Sequence, residues 1–176
     1  PDFERHLSGL FVAFERHAMV VLAAIEQHLG CPRGRLTEIA TEGNSVVRII
    51  HYPPLPAEAP EGALRASEHE DINLITLLPV ATTPGLQLQS HDGTWLSVRT
   101  PPGVLVCDTG DMMAHLTGGQ LPATTHRVVN PSGNAARKPR YSMPFFCHPR
   151  PECLLTPLRG DAEPITAGAL LRRRLE

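Results

Sequence analysis

The chain has 176 residues, of which 41% are apolar, enough for one domain with a real core and too much for global disorder. With 16 basic residues against 18 acidic ones, no strong field draws it to nucleic acid or an anionic membrane, so a small-molecule partner is the default expectation. Its four cysteines, Cys31, Cys107, Cys147 and Cys153, contain no CxxC pair and are too few for a disulfide scaffold, which fits a reduced, cytoplasmic setting.

Apolar residues at Leu7, Leu10, Phe11, Phe14, Ala18, Val21, Leu22, Ile25 and Leu29 keep the three-or-four spacing of an amphipathic helix, predicted over residues 3–29. Gly30 and Pro32 then stop it. His6, His17 and His28 fall on one stripe of that helix, but about 16 Å apart at a rise of 1.5 Å per residue, so they mark a solvated face and not a metal cluster. The longest unbroken apolar run, residues 18–25, is shorter than the roughly 20 residues that cross a bilayer, and no signal peptide is visible. The chain opens at Pro1 without a methionine, and a region preceding this one is therefore expected to be missing.

After Pro32 the pattern changes to short β-type runs over residues 45–52, 72–78, 86–89, 95–98, 104–107, 127–130 and 141–147. His91, Asp92 and Gly93 form a hairpin turn, with Trp95 covering it. Asp108, Thr109, Gly110 and Asp111 have turn composition, which makes Asp108 and Asp111 structural carboxylates. His51, His91, His115 and His148 lie beside prolines, turns or loops and carry no assigned role. A helix begins near Leu170. Many short strands separated by turn residues, with 18 prolines and 14 glycines in the chain, predict a barrel or double-sheet sandwich.

The chemistry concentrates at His69-Glu70-Asp71, read as the head of a strand. Alternate residues of an extended chain share a side, so His69 and Asp71 face one point while Glu70 faces away. A second histidine from a distant strand would complete a two-histidine, one-carboxylate facial triad, the donor set that leaves positions open on non-haem iron. His126, 55 residues after Asp71 in a β-branched run, is the candidate. Arg140 and Ser142 follow, again alternate residues, and pair a planar two-pronged cation with a hydroxyl, a fitting grip for a carboxylate. Each signal is weak alone; their order along the chain is the uncommon feature.

In that order the sequence resembles the isopenicillin N synthase-like Fe(II)/2-oxoglutarate dioxygenases. The likeness runs from about Ser45 to Pro149 through Arg48-Ile49-Ile50-His51-Tyr52-Pro53, the His69 to Leu78 segment, Gly85-Leu86-Gln87-Leu88, Asp92-Gly93-Thr94-Trp95, Gly110-Asp111, His126-Arg127-Val128 and Arg140 to Phe146. Asn73 departs from the serine usual there. The resemblance implies a mainly β fold, a double-stranded β-helix or jelly roll over residues 45–150, with an N-terminal helical segment, 1–44, packed on the barrel and a tail, 151–176, carrying a short helix. It implies Fe(II) held by His69, Asp71 and His126, and 2-oxoglutarate held by Arg140 and Ser142 with a hydroxyl from Tyr52. The implied activity couples 2-oxoglutarate decarboxylation to dioxygen-dependent hydroxylation, desaturation or ring closure of a small molecule. Three alternatives stand beside it: an oxidase of the isopenicillin N synthase type that does not use 2-oxoglutarate, a non-catalytic jelly-roll binding protein, and a zinc hydrolase on the same donor set.

Overall fold

The computed structural model describes residues 2–56 and 62–176. Helix α1 (Asp2–Leu29) leads through the one-turn α2 (Thr37–Ala40) into a run of short strands: β1 (Val46–Val47), β2 (Ile50–Tyr52), β3 (Ala66–His69), β4 (Ile75–Leu78), β5 (Leu86–Gln89), β6 (Trp95–Ser97) and β7 (Val106–Thr109). Helix α3 (Asp111–Leu116) interrupts before β8 (His126–Val128), β9 (Arg140–Ser142), β10 (Phe145–Cys147), β11 (Leu154–Leu155), β12 (Ile165–Thr166) and helix α4 (Ala167–Leu175).

Two antiparallel four-stranded sheets dominate, one ordered β1-β10-β4-β7 and the other β3-β8-β5-β6. Strands β2 and β9 form an antiparallel pair, as do β11 and β12. The chain repeatedly leaves one sheet for another. That is why two predicted strands come out divided: the run 45–52 becomes β1 and β2 in different sheets, and 141–147 becomes β9 and β10. Pro144 marks the second break, since it lacks the N–H a continuous ladder needs, while its carbonyl accepts from the Arg48 amide at 3.0 Å where the first run divides.

Helix α1 buries Phe14, Ala18, Leu22 and Leu29. Phe145 from β10 stacks on Phe14 with centroids 5.5 Å apart and meets Phe11 edge-on at 5.6 Å. Leu74, Ile75 and Leu77 around β4 complete this contact, each fully buried and each stabilising by about 1.5–3 kcal/mol. By length and composition α1, with 28 residues, is long and apolar enough to cross a membrane, contrary to the expectation from its longest unbroken run. The reason is that sparse charges break the run without lowering the average; the buried stripe is nevertheless spent on the sheet.

Several elements escape a reading by periodicity. Helix α2 exists because Glu26, buried on α1, caps it from a distance, accepting from the amides of Leu36 at 2.7 Å, Thr37 at 2.8 Å and Gly34 at 3.0 Å. Helix α3 grows out of the segment expected to be a turn. Helix α4 starts earlier than expected, at Ala167, where the Thr166 hydroxyl accepts from the Ala169 amide.

Candidate metal centre

His69 ends β3 and His126 begins β8, and the register of that sheet sets them directly opposite one another. Their ring centroids are 4.3 Å apart. Asp71 is not on the strand with His69: it lies in the segment that carries the chain from the β3 sheet across to β4 in the other. The expectation of a motif at the head of one strand is corrected accordingly. The side-by-side placement comes from a crossover and not from strand alternation.

That crossover is clamped by the start of α3. The amides of Asp111 and Met112 donate to the carbonyls of Asp71 and Asn73 at 2.9 and 3.1 Å, and Gly110 donates to Leu74 at 3.1 Å. A Cβ at Gly110 would stand 2.5 Å from the Asn73 carbonyl oxygen and 2.6 Å from that of Asp71, so only glycine allows this approach.

The Nε2 atoms of His69 and His126 lie 3.9 and 4.0 Å from Asp71 Oδ1, and the three ligand atoms fall within 4.8 Å of one another. Bonds of ~2.1 Å to a single ion require these side chains to draw in by a fraction of an ångström. Their partners favour metal binding. His69 Nδ1 is 2.7 Å from the Ser67 carbonyl and His126 Nδ1 is 3.0 Å from that of Thr124; a carbonyl only accepts, so each Nδ1 carries the proton and each Nε2 presents its lone pair to the cluster. The second oxygen of Asp71 accepts from the Thr76 hydroxyl, which in turn accepts from Asn73 Nδ2 at 2.7 Å. Asn73, the departure noted in the sequence, is thus part of the scaffold behind the carboxylate.

Glu70, expected to turn away, sits on the rim of the same cavity. It accepts from the Thr125 hydroxyl at 2.9 Å and pairs with Arg174 of α4 at 3.4 Å. Arg174 also donates to Asp111 at 2.7 Å. Asp111 is therefore an ion-pair partner at the start of α3, and not part of the turn expected there. Asp108 is 4% exposed, opposite Thr76 in the β4/β7 ladder, and among the described residues no hydrogen-bond partner reaches either carboxylate oxygen. Burial, with the Asp71 carboxylate adding to it, pushes its pKa up to about 7.

A cavity of about 580 Å³ extends from the cluster to Arg140 and Ser142. These two alternate residues of β9 are both buried, with Tyr141 between them exposed. Arg140 Nε donates to the Thr83 carbonyl at 3.2 Å, but its Nη1 is buried without a partner among the described residues, and burial lowers the guanidinium pKa. An unsatisfied buried cation beside a buried hydroxyl is a ready seat for a carboxylate. Tyr52 is the cross-strand neighbour of Arg140, whose guanidinium carbon lies 5.1 Å from the tyrosine ring centroid.

A sequence model described as the 2OG-Fe(II) oxygenase superfamily matches residues 43–149, more than half of the chain. The chain belongs to this family. Among members to which it is similar, a 2-oxoglutarate-Fe(II) type oxidoreductase of Aspergillus fumigatus is 39% identical over 71% of this chain and 37% of its own length. The crystal structure of a 2OG-Fe(II) oxygenase family protein from Caulobacter crescentus is 40% identical with a TM-score of 0.90, covering 99% of this chain and 59% of that one. A full-length Neurospora crassa protein, crystallised in complex with alpha-KG, is 28% identical with a TM-score of 0.90, over 98% of this chain and 57% of that one. The chain thus spans less than two thirds of the length of these relatives.

Four cavity residues, Arg48, His148, Leu171 and Leu175, carry no motif that assigns them to the site. Spacing holds a trace of the first, since Arg48, Ile50 and Tyr52 alternate and all three reach this cavity. His148, for which the sequence suggests no role, is half-buried there, with its pKa lowered by burial. Among the other histidines, His115 is anchored to the Leu155 carbonyl at 3.1 Å and His51 stacks on Tyr141 at 4.8 Å. The Arg127 guanidinium of β8 reaches across β5 and lies over Trp95 of β6, its carbon 3.9 Å from the ring centroid.

Proposed function

We propose that the chain is the Fe(II)-binding, 2-oxoglutarate-binding part of an oxygenase that oxidises a C–H bond of a small molecule, and that its two antiparallel sheets make up a double-stranded β-helix. The observation that carries this reading is a single cavity with a His-Asp-His cluster at one place and an unsatisfied buried arginine at another. The Neurospora relative, solved with alpha-KG, supports the cosubstrate.

His69 and His126 offer neutral Nε2 donors oriented by their backbone partners, and Asp71 offers Oδ1 while Thr76 holds Oδ2. This donor set suits a ferrous ion with open positions. Arg140 and Ser142 take the distal carboxylate of 2-oxoglutarate, and Tyr52 flanks it. When bound, iron and 2-oxoglutarate with dioxygen supply a two-electron oxidation coupled to release of succinate and carbon dioxide. The protein orients the reactants and, through the apolar side chains of Leu78, Leu86 and Val128, keeps bulk water from the cavity.

The test is metal and cosubstrate stoichiometry alongside succinate release. Wild type should bind one Fe(II), and His126→Ala should lose at least about tenfold in affinity, the scale of damage at metal sites. Arg140→Gln should keep the iron and weaken 2-oxoglutarate binding. Full iron binding by both His69→Ala and His126→Ala would reject the centre.

A further inference from the structure

We propose that the molecule oxidised in this cavity carries a carboxylate, and that Arg48 is the residue that binds it. The inference rests on the oxygenase reading above and concerns the remaining half of the same cavity.

The charged side chains of the cavity differ in what they already hold. Glu70 is occupied by Arg174 and Thr125. Arg140 lies buried at the proposed 2-oxoglutarate seat. Arg48 is different: among the described residues no carboxylate lies within ion-pair distance of it, and its side chain makes no hydrogen bond, although it lines the cavity. The other charges of the site would already have partners: iron with Asp71, 2-oxoglutarate with Arg140, and Glu70 with Arg174, which Asp111 shares. Arg48, itself exposed, is left without an ion-pair partner among the described residues, so an acid entering the cavity meets a guanidinium that its neutral analogue cannot pair with.

Arg48 is also held in position. It lies between β1 and β2, where the chain passes from one sheet to the other, and its amide is fixed to the Pro144 carbonyl at 3.0 Å. Its guanidinium carbon stands 5.4 Å from the centroid of the Phe146 ring. A planar cation supported on an aromatic face keeps its N–H edge available, the geometry that grips a carboxylate through two parallel hydrogen bonds. On α4, Leu171 and Leu175 are spaced four residues apart and line the same cavity, Leu175 being 72% exposed. Arg174 secures that helix to Glu70 and Asp111. A cation over an aromatic ring together with two leucines is complementary to an amphipathic acid: a carboxylate on Arg48 and an apolar body against Phe146, Leu171 and Leu175.

The probes are hexanoate, phenylacetate and 4-phenylbutyrate, each paired with its primary amide. Their binding to anaerobic protein loaded with Mn(II) and 2-oxoglutarate is measured by titration calorimetry, and their stimulation of succinate release is measured with Fe(II). At least one acid should bind about tenfold or more tightly than its amide, the worth of a charge-assisted pair. Arg48→Gln should abolish that preference with 2-oxoglutarate affinity unchanged, while Arg48→Lys, still cationic but without the fork, should keep part of it. The proposal is overturned if no acid exceeds its amide, or if Arg48→Gln retains the preference. Failure of the wild type to bind Mn(II) and 2-oxoglutarate at all is a separate result, one that removes the oxygenase reading and the proposal with it.

Discussion

A histidine becomes a defined metal ligand only when its second nitrogen is committed, and here both rings donate Nδ1 to a backbone carbonyl two residues back. Extended backbone on either side of the cluster makes that i−2 contact possible. Near Asp71, Asp108 is a buried carboxyl with no hydrogen-bond partner among the described residues and a pKa raised from 3.8 to about 7. A group whose folded pKa is raised contributes stability below its unfolded value, and that contribution is lost as pH climbs through the folded value. The metal-free protein should therefore weaken between about pH 4 and pH 7, by roughly 1.4 kcal/mol for each pH step of one across that window. Asp108→Asn, nearly isosteric and never charged, should remove this slope. Thermal melts of the metal-free proteins check it: the variant should exceed wild type by several degrees at pH 8 and match it near pH 4, and parallel melting curves at both pH values would refute it.

Among elements, the short ones owe most to distant partners. A helix of four residues cannot nucleate alone, and α2 forms on the carboxylate of Glu26. Burial opposes that charge, but the amides of Thr37, Gly34 and Leu36 outweigh it and hold the pKa below its ordinary value. Stability from this cap is present above the unfolded carboxylate pKa and lost as pH falls through the folded one. Glu26→Gln should cost about 1.5–3 kcal/mol at neutral pH, the range for hydrogen bonds to a charged group, and denaturant titration at pH 7 reads it directly. At the other end of the core, α3 grips the crossover that carries Asp71 through three amides, and Gly110 is where the two backbones meet. Gly110→Ala should destabilise by about 1–3 kcal/mol through overpacking and should also weaken Fe(II) binding, because the atoms displaced belong to Asp71 and Asn73. Unchanged iron affinity in a folded Gly110→Ala protein would show that the clamp does not set the metal site.

At the scale of the molecule, the proposed ligands tie a pair of strands in one sheet to the crossover that enters the other, so metal binding should stabilise the whole fold. At a hundred times its dissociation constant an ion adds about 2.7 kcal/mol, or ~5–10 °C for a chain of this size at 2–4 °C per kcal/mol. Differential scanning fluorimetry should show that rise with Mn(II), its loss with a chelator, and a further rise with 2-oxoglutarate only when metal is present. Much of this could be anticipated from the linear chain. The α1 stripe, the β5/β6 hairpin, the alternate burial of Arg140 and Ser142 and the three ligand candidates all rest on residue type and short-range spacing, which backbone geometry translates directly into faces. What could not be anticipated depends on register and on sheet exchange. Opposing His69 to His126 is a pairing choice across 57 positions, and breaking 45–52 and 141–147 is a choice of which sheet each half joins. Recruiting Glu70 to Arg174 and setting Arg48 over Phe146 likewise depend on which distant segments pack together. No local pattern encodes such choices, because their free energy comes from burial and hydrogen bonds that exist only once both partners are in place.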